Sequence, residues 1–209
     1  MTINKEQLDG LVNRIDGDLG ATFHAPTTVL ADIAGTYSID PAHTRLGFVA
    51  RHAMVTKVRG AFTEFSGTAH VDTADPSKSS VSITIVANSI TTGQQQRDDH
   101  LRSGDFFDSE EHPEITFVST SVDRGGDGDE WTVTGDLTIK GVTRPVSVLF
   151  EYTGSAKDPY GNVRIGFEGE AAINRKDWGL TWNAALETGG VMVSDKIKLE
   201  FDVSAIKSA

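Results

Sequence analysis

The sequence predicts an all-β protein: an eight-stranded antiparallel barrel with a short helix after the third strand and a helical arm at the N-terminus. Apolar residues alternate with polar ones from Gly35 onward, which is the period of a strand with one wet face. Turn signals separate the alternating stretches, and residues 1–34 show the spacing of an amphipathic helix instead. A sandwich would share this strand pattern, but closure into a barrel removes the exposed edges of so long a meander.

The N-terminal arm, residues 1–34, is predicted to be partly helical. Its apolar residues recur at spacings of three and four, and they are Leu8, Leu11, Val12, Ile15 and Leu19. Either Thr2 or Asn4 can cap such a helix. We expect the arm to pack this stripe on the main domain, residues 35–209, with a partner or dimer helix as the alternative.

The strands are clearest at the C-terminus, where Ile197, Leu199 and Phe201 share one face and charged residues occupy the other. The predicted strands are 44–53, 57–72, 79–91, 114–123, 129–140, 144–157, 160–174 and 195–206. A barrel of about eight strands has room for its own side chains or one small ligand, but not for an open channel. The length of several strands favours an internal cavity.

The stretch between the third and fourth predicted strands is the most charged of the chain and contains two adjacent phenylalanines, Phe106 and Phe107. Residues 94–102 lack alternation and are rich in helix formers, so they predict a short helix over one barrel end, with Gly104 as its C-cap. On an extended backbone the two rings would point opposite ways. One ring is then expected to enter the barrel and the other to pack beneath the helix.

The charge balance and the lack of cysteine narrow the function classes. With 30 acidic and 19 basic residues the formal net charge is −11, which disfavours nucleic acid as a partner and charge-driven docking on anionic lipid surfaces. The absence of cysteine removes disulfides and thiolate chemistry. Residues 1–20 lack the continuous apolar core of a signal peptide, so we expect a cytoplasmic location if the chain is complete, and a periplasmic one if it is a mature form.

The histidines do not predict a metal site. None of the six has the HxH or HExxH spacing of a zinc site, so neither a metal nor any other cofactor is expected. The six are His24, His43, His52, His70, His100 and His112. His52 alternates with Phe48 and Ala50, which predicts an inward-pointing ring near one end of the barrel.

Short motifs spread over residues 35–206 resemble one family in both order and spacing. They include Tyr37-Ser38-Ile39-Asp40, Arg97-Asp98-Asp99-His100-Leu101, Asp105-Phe106-Phe107-Asp108, Pro113-Glu114-Ile115-Thr116-Phe117 and Ile173-Asn174-Arg175-Lys176-Asp177-Trp178-Gly179. On these residues the chain is similar to the YceI-like family. The resemblance implies a lipocalin-like barrel with an apolar tunnel that binds polyisoprenoids or related long-chain amphiphiles, as a rule without catalysis. The arm departs from the family's common pattern.

The function that we expect is therefore a non-enzymatic lipid-binding protein. It holds a polyisoprenoid or similar long-chain lipid, including a quinone, for transport, storage or sequestration, and a homodimer is a further expectation. The candidate ligand-binding residues are Phe48, His52, Phe62, Phe65, Ile85, Phe106, Phe107, Phe117, Phe150, Phe167, Trp178 and Phe201. The alternatives are a hydrolase or isomerase that uses His52 with Asp40 or Glu64, and an interaction protein that assembles through its arm.

Overall fold

The computed structural model describes residues 33–125, 128–187 and 189–208. Residues 1–32 lie outside this part of the chain, and so does the amphipathic helix expected there. The strands are β1 Gly35–Ile39, β2 Arg45–His52, β3 Thr56–Phe62, β4 Phe65–Val71, β5 Ser80–Val86, β6 Ile90–Thr91, β7 Glu114–Arg124, β8 Glu130–Ile139, β9 Val142–Lys157, β10 Val163–Asn174 and β11 Lys196–Lys207. The helix α1 spans Gln95–Arg102, and 3-10 turns span Pro76–Lys78, Ala87–Ser89 and Arg175–Trp178.

The sheet is antiparallel throughout and closes on itself. Its hydrogen-bonded order runs β1-β4-β5-β7-β8-β9-β10-β11, and β1 pairs again with β11, so eight strands form a ring. The remaining strands, β2, β3 and β6, lie side by side next to β11. The barrel expected from the alternation is confirmed, and the sandwich is excluded because one continuous ladder joins all the strands.

Three of the barrel strands are interrupted. The bend at residues 40–44 separates β1 from β2, although both pair with β11. The break at residues 63–64 separates β3 from β4, and the turn Ala87–Ser89 separates β5 from β6. The predicted strands 57–72 and 79–91 are therefore each two shorter strands. The prediction missed β1, because Asp40-Pro41 directly after Ile39 is typical of a loop.

The predicted helix is α1. Gln94 caps its N-terminus, where its side chain accepts a hydrogen bond from the backbone N–H of Arg97. The prediction of Gly104 as the C-cap was wrong: Ser103 caps the helix, and both its backbone N–H and its Oγ donate to the carbonyl oxygen of His100. A serine hydroxyl provides this second bond and makes a left-handed glycine unnecessary.

The two ends of the barrel differ in how they are filled. At the closed end, Ile33, Tyr37 and Val71 are buried, and the Tyr37 hydroxyl donates to the Ile33 carbonyl oxygen at 2.8 Å. At the cap end, α1 and the turns of residues 103–113 cover the strands. Within the described residues β6 pairs with β3 and has no ladder to β7, so side chains complete the wall there.

Candidate functional site

An apolar cavity of about 270 Å³ occupies the interior of the barrel between these two ends. It extends from Ile39 and Val71 at the closed end to Leu101 and Val193 at the cap end. A single water needs only roughly 10–15 Å³ of such space, and a cavity with apolar walls has no partners to hold water. The interior is therefore large enough, and apolar enough, for a hydrocarbon chain.

The candidate residues mostly meet at this cavity. Those that line it are Phe48, Phe62, Ile85, Phe106, Phe107, Phe117, Phe150, Phe167, Trp178 and Phe201. Phe65 does not: it is buried at the start of β4, at the opposite end of that strand from Val71, and lies opposite Ile85. His52 does not either. The prediction of an inward ring was wrong because His52 ends β2 beyond the barrel wall, where it is exposed and pairs with Val193.

Glycines opposite the aromatic rings keep the interior open. Gly169 lies directly opposite Phe150, and a Cβ on it would come within 2.3 Å of that ring. Gly60 has the same relation to Phe48. Because these glycines lack a side chain, the rings can lie over the neighbouring backbone instead of projecting across the barrel. The cavity is thus lined by aromatic rings that do not fill it.

Both Phe106 and Phe107 line the cavity. The expectation that only one ring enters the barrel was wrong, because residues 104–107 form turns and the side-chain alternation of a strand does not apply. The expectation that one ring packs beneath the helix agrees with the contact between Phe106 and His100 of α1. The Phe107 ring packs edge-on against Phe62 with centroids 5.7 Å apart. Phe106 is 5% exposed and contacts Trp182 and His100, with centroids 5.4 and 5.1 Å away. The two rings form the floor of the cap, where Phe106 contacts α1 and Phe107 contacts the barrel strand β3.

Buried hydrogen bonds fix the cap helix. Asp98 is 5% exposed and accepts from the Thr91 hydroxyl and from the backbone N–H and hydroxyl of Thr92. Burial raises the pKa of Asp98, but these hydrogen bonds outweigh it and hold the pKa below its ordinary value. Arg102 donates to the carbonyl oxygens of Asn88 and Ile90, both at 2.9 Å. The helix is therefore tied to the turn Ala87–Ser89, to β6 and to Thr92 directly after β6.

Arg175 is a buried cation at the cavity edge that sequence reasoning did not select as a site residue. It is 4% exposed and four of its five N–H groups are committed. They donate to the carbonyl oxygens of Ser194, Leu180 and Trp182 and to the carboxylate of Asp195. Burial lowers its pKa, and Asp195 opposes that shift. Arg175 thus holds the segment 180–195 in place, and its motif Asn174-Arg175-Lys176-Asp177-Trp178 was the available signal.

Two buried donors near the closed end have no hydrogen-bond partner within the described residues: Trp131 Nε1 and the Tyr152 hydroxyl. Trp131 is 4% exposed and lines the cavity, and both side chains pack against Phe167. Burial, with Tyr152 nearby, raises the pKa of Tyr37. A buried donor without an acceptor is unfavourable, so this region is suited to a ligand oxygen.

The residues proposed for catalysis, His52 with Asp40 or Glu64, do not converge. Glu64 follows the end of β3 that is far from Thr56, the partner of His52 in the ladder. Asp40 lies in the bend before β2, where it pairs with Arg164 and His43, while His52 ends the same strand. The intervening strand separates them by roughly 25 Å at about 3.3 Å per residue. Among the described residues no group of three or more His, Cys, Asp or Glu is placed to hold a metal ion. No helix in the described part of the chain has the length and apolar character needed to cross a membrane.

Comparison with known families agrees with the motifs and the barrel. The family model described as a YceI-like domain matches residues 37–205. The chain belongs to the YceI-like family. The match covers β1 to β11 and therefore every strand that forms the cavity wall.

Individual relatives extend this result. A UPF0312 protein of Staphylococcus aureus is 41% identical over 165 residues, which are 78% of this chain and 93% of that protein. BcnA of Burkholderia cenocepacia superposes with a TM-score of 0.69 at 26% identity, over 79% of this chain and 98% of its own. A domain from Saccharophagus degradans, described as a polyisoprenoid binding domain, has a TM-score of 0.61 at 18% identity, over 82% and 98%. That last likeness shows the fold alone.

Proposed function

We propose that this YceI-like chain is a lipid-binding protein that holds a polyisoprenoid or a similar long-chain amphiphile inside its barrel. The observation that carries the proposal is the apolar cavity. Among the described residues that line it, only His70, Ser79 and Arg175 are neither glycine, aliphatic residues, phenylalanine nor tryptophan. Four of the five Arg175 donors are already engaged, so it offers little to a ligand head group. The cavity therefore selects for hydrocarbon.

The cavity suits a chain better than a compact molecule. On β10 alone, its lining runs from Ile165 to Ile173, roughly 25 Å along the strand. Each CH₂ buried in such a site contributes about 0.8 kcal/mol, and ordering a flexible tail offsets part of that gain. A few isoprene units are enough to favour binding. The printed description of the Saccharophagus degradans domain, a protein of the same fold, is compatible with this ligand class.

The polar end of the ligand is proposed to carry an acceptor oxygen, such as a quinone carbonyl. Within the described residues Trp131 Nε1 and the Tyr152 hydroxyl are donors without partners, and both lie at the closed end. An oxygen there would satisfy a buried donor, whereas a pure hydrocarbon would leave it unpaired. On this proposal the ligand enters with its polar end first and its tail lies toward the cap end.

Native mass spectrometry of the purified protein, before and after organic extraction, tests the proposal. We expect an extractable lipid of long-chain type in the first spectrum and its loss in the second. Ile173→Trp places a larger ring in the cavity and should displace the lipid, while Val118→Trp adds the same ring at an exposed site on β7 and should not. A wild-type protein that never carries lipid, even after incubation with a prenylated quinone, contradicts the proposal.

The acceptor oxygen has its own test. After extraction, the protein is reloaded with a prenylated quinone or with squalene, an isoprenoid hydrocarbon that has no oxygen. We expect the wild type to prefer the quinone and Trp131→Phe to lose that preference. The phenylalanine keeps an aromatic ring but lacks the N–H, and Trp131, unlike Tyr152, lines the cavity. Equal loading of the two lipids by the wild type would refute the role of the donors and leave the apolar site intact.

A further inference from the structure

The hairpin formed by β2 and β3 projects from the cap end and exposes apolar side chains at its tip. Met54 is 56% exposed and Val55 is 76% exposed. Further down the same hairpin, Phe48 and Ala50 line the cavity. The name tip hairpin is used here for residues 51–59. Its exposed end is thus continuous, through one strand, with the cavity wall.

The backbone of the tip holds these apolar residues in an unusual conformation. Ala53 and Met54 have φ values of 50° and 58°, and the N–H of Val55 donates to the His52 carbonyl oxygen at 3.0 Å. A two-residue turn of this kind strongly favours Asn or Gly, because most side chains are strained at positive φ. Polar turn residues would fit the fold better than Ala and Met. The apolar tip is therefore not explained by the turn itself.

The charge around the tip is the reverse of the charge of the chain. Residues 41–63 contain no Asp or Glu, although the whole chain has a formal net charge of −11. Arg51 and Lys57 are opposite one another in the ladder, and Arg59 lies two positions further along the same face. None of these three cations forms an ion pair within the described residues. An acidic protein thus has one basic, unpaired face beside an apolar tip.

The tip hairpin is held rigidly beside the segment 189–194. The N–H of Ala53 donates to the Met192 carbonyl oxygen at 2.7 Å, and the N–H of Ser194 donates to the Arg51 carbonyl oxygen at 3.0 Å. This segment adds another exposed aliphatic side chain, Val191, to the same rim. The rim is therefore preformed, and it borders the end of the barrel where side chains rather than a strand ladder complete the wall.

We propose that the tip hairpin docks the protein on an anionic lipid bilayer, so that a membrane lipid can pass between the bilayer and the cavity. Met54 and Val55 insert among the head groups, and Arg51, Lys57 and Arg59 contact the lipid phosphates. An apolar edge flanked by cations is the pattern of an interfacial membrane anchor. At physiological ionic strength the Debye length is about 8 Å, so the distant carboxylates repel the surface only weakly. This inference rests on the proposed lipid-binding function.

Co-sedimentation with vesicles tests the docking. The full chain is mixed with vesicles of phosphatidylcholine alone, or with about one third phosphatidylglycerol added. We expect binding to the anionic vesicles that weakens at high salt. Val55→Asp should weaken this binding about tenfold or more, because one apolar side chain is worth about that factor in partitioning. Lys57→Glu should weaken binding to the anionic vesicles and leave binding to phosphatidylcholine vesicles unchanged. Tyr160→Asp is the matched control, since Tyr160 is 90% exposed at the opposite end and should have no effect.

Three outcomes would overturn the docking proposal. The first is a wild type that binds neither kind of vesicle, and the second is an equal loss of binding in Tyr160→Asp. The third is a change from dimer to monomer in Val55→Asp on size-exclusion chromatography without any vesicle binding, because the tip would then meet a second copy of this chain.

Lipid content separates this proposal from the one on which it rests. Val55 does not line the cavity, so native mass spectrometry of Val55→Asp should show the same bound lipid as the wild type. Retained lipid without vesicle binding refutes only the docking. Vesicle binding by a protein that never carries lipid refutes only the lipid-binding function.

Discussion

The closed end and the cap end are formed by the same sheet but are completed in different ways. At the closed end β1 bridges β4 and β11, so backbone hydrogen bonds run around the whole ring. At the cap end the sheet continues beside β11 as β2, β3 and β6, and its ladder ends at β6. The helix α1 and aromatic side chains fill the gap that this leaves in the wall. A ladder can be opened only by breaking backbone hydrogen bonds, whereas packed side chains can move apart more easily. We therefore expect the closed end to contribute more to stability and the cap end to admit the proposed ligand.

The largest expected effect is on the closed end. Tyr37 is fully buried and donates to the Ile33 carbonyl oxygen. Tyr37→Ala removes the ring and this hydrogen bond, so we expect the free energy of unfolding to fall by about 3–5 kcal/mol in urea denaturation. Tyr160→Ala, at a 90% exposed position, should change it by less than about 0.5 kcal/mol. Similar values for the two variants would show that Ile33 and Tyr37 do not stabilise this end.

Replacing Arg175, which holds the segment 180–195 at the cap end, should have the next largest effect on stability. Arg175→Met leaves the carbonyl oxygens of Leu180, Trp182 and Ser194 without their donor, and we expect a loss of about 2–3 kcal/mol by chemical denaturation. Lys176→Met is the control, because Lys176 pairs with the same Asp195 from an exposed position and should cost at most about 1 kcal/mol. Equal losses would indicate that only the charge of Asp195 matters.

Truncating Phe106 or Phe107, the floor of the cap, should reduce ligand retention more than it reduces stability. Phe106 and Phe107 border the cavity, so part of each ring has no packing partner in the empty protein. We expect Phe106→Ala and Phe107→Ala each to cost less than about 3 kcal/mol, below the loss in Tyr37→Ala. Bound lipid, measured by extraction and mass spectrometry, should fall clearly in both. If both lose stability as strongly as Tyr37→Ala and keep their lipid, the rings are core residues and the cap end is not the ligand entrance.

The smallest effect concerns pH at the closed end. Asn162 and Arg164 hold the pKa of Asp158 well below its ordinary 3.8 against the effect of burial, and Arg164, with His43, lowers the pKa of Asp40. A carboxyl whose pKa is lowered by folding stabilises the folded state above its unfolded pKa of about 3.9. That stability is lost as the pH falls through the lowered folded pKa values. Melting temperatures should therefore decline below about pH 4, and Asp158→Asn should flatten the decline.

Much of the fold and part of the site could be predicted because they depend on local patterns. The alternation located nearly every strand, and helix-forming residues between strands located α1 to within one residue. Eight of the ten phenylalanines line the cavity, and six of these eight do so from inward positions on strands, as alternation predicts. The same alternation failed at His52 and at Phe106 and Phe107. A strand that leaves the barrel, and a turn, do not follow the inside-outside rule of a closed wall.

The sequence by itself determined the periodicity of two, the helix between the third and fourth predicted strands and the apolar composition of the interior, because each depends on neighbours along the chain. Only the tertiary structure decided which strands are interrupted and where the ring closes. The same structure decided that the N–H groups of Arg175 bind the backbone of segment 180–195. It also decided that Arg51, Lys57 and Met54 share one exposed rim on an acidic protein. Strand register brings together residues that are distant in the sequence, and no local pattern encodes the neighbour across the ladder.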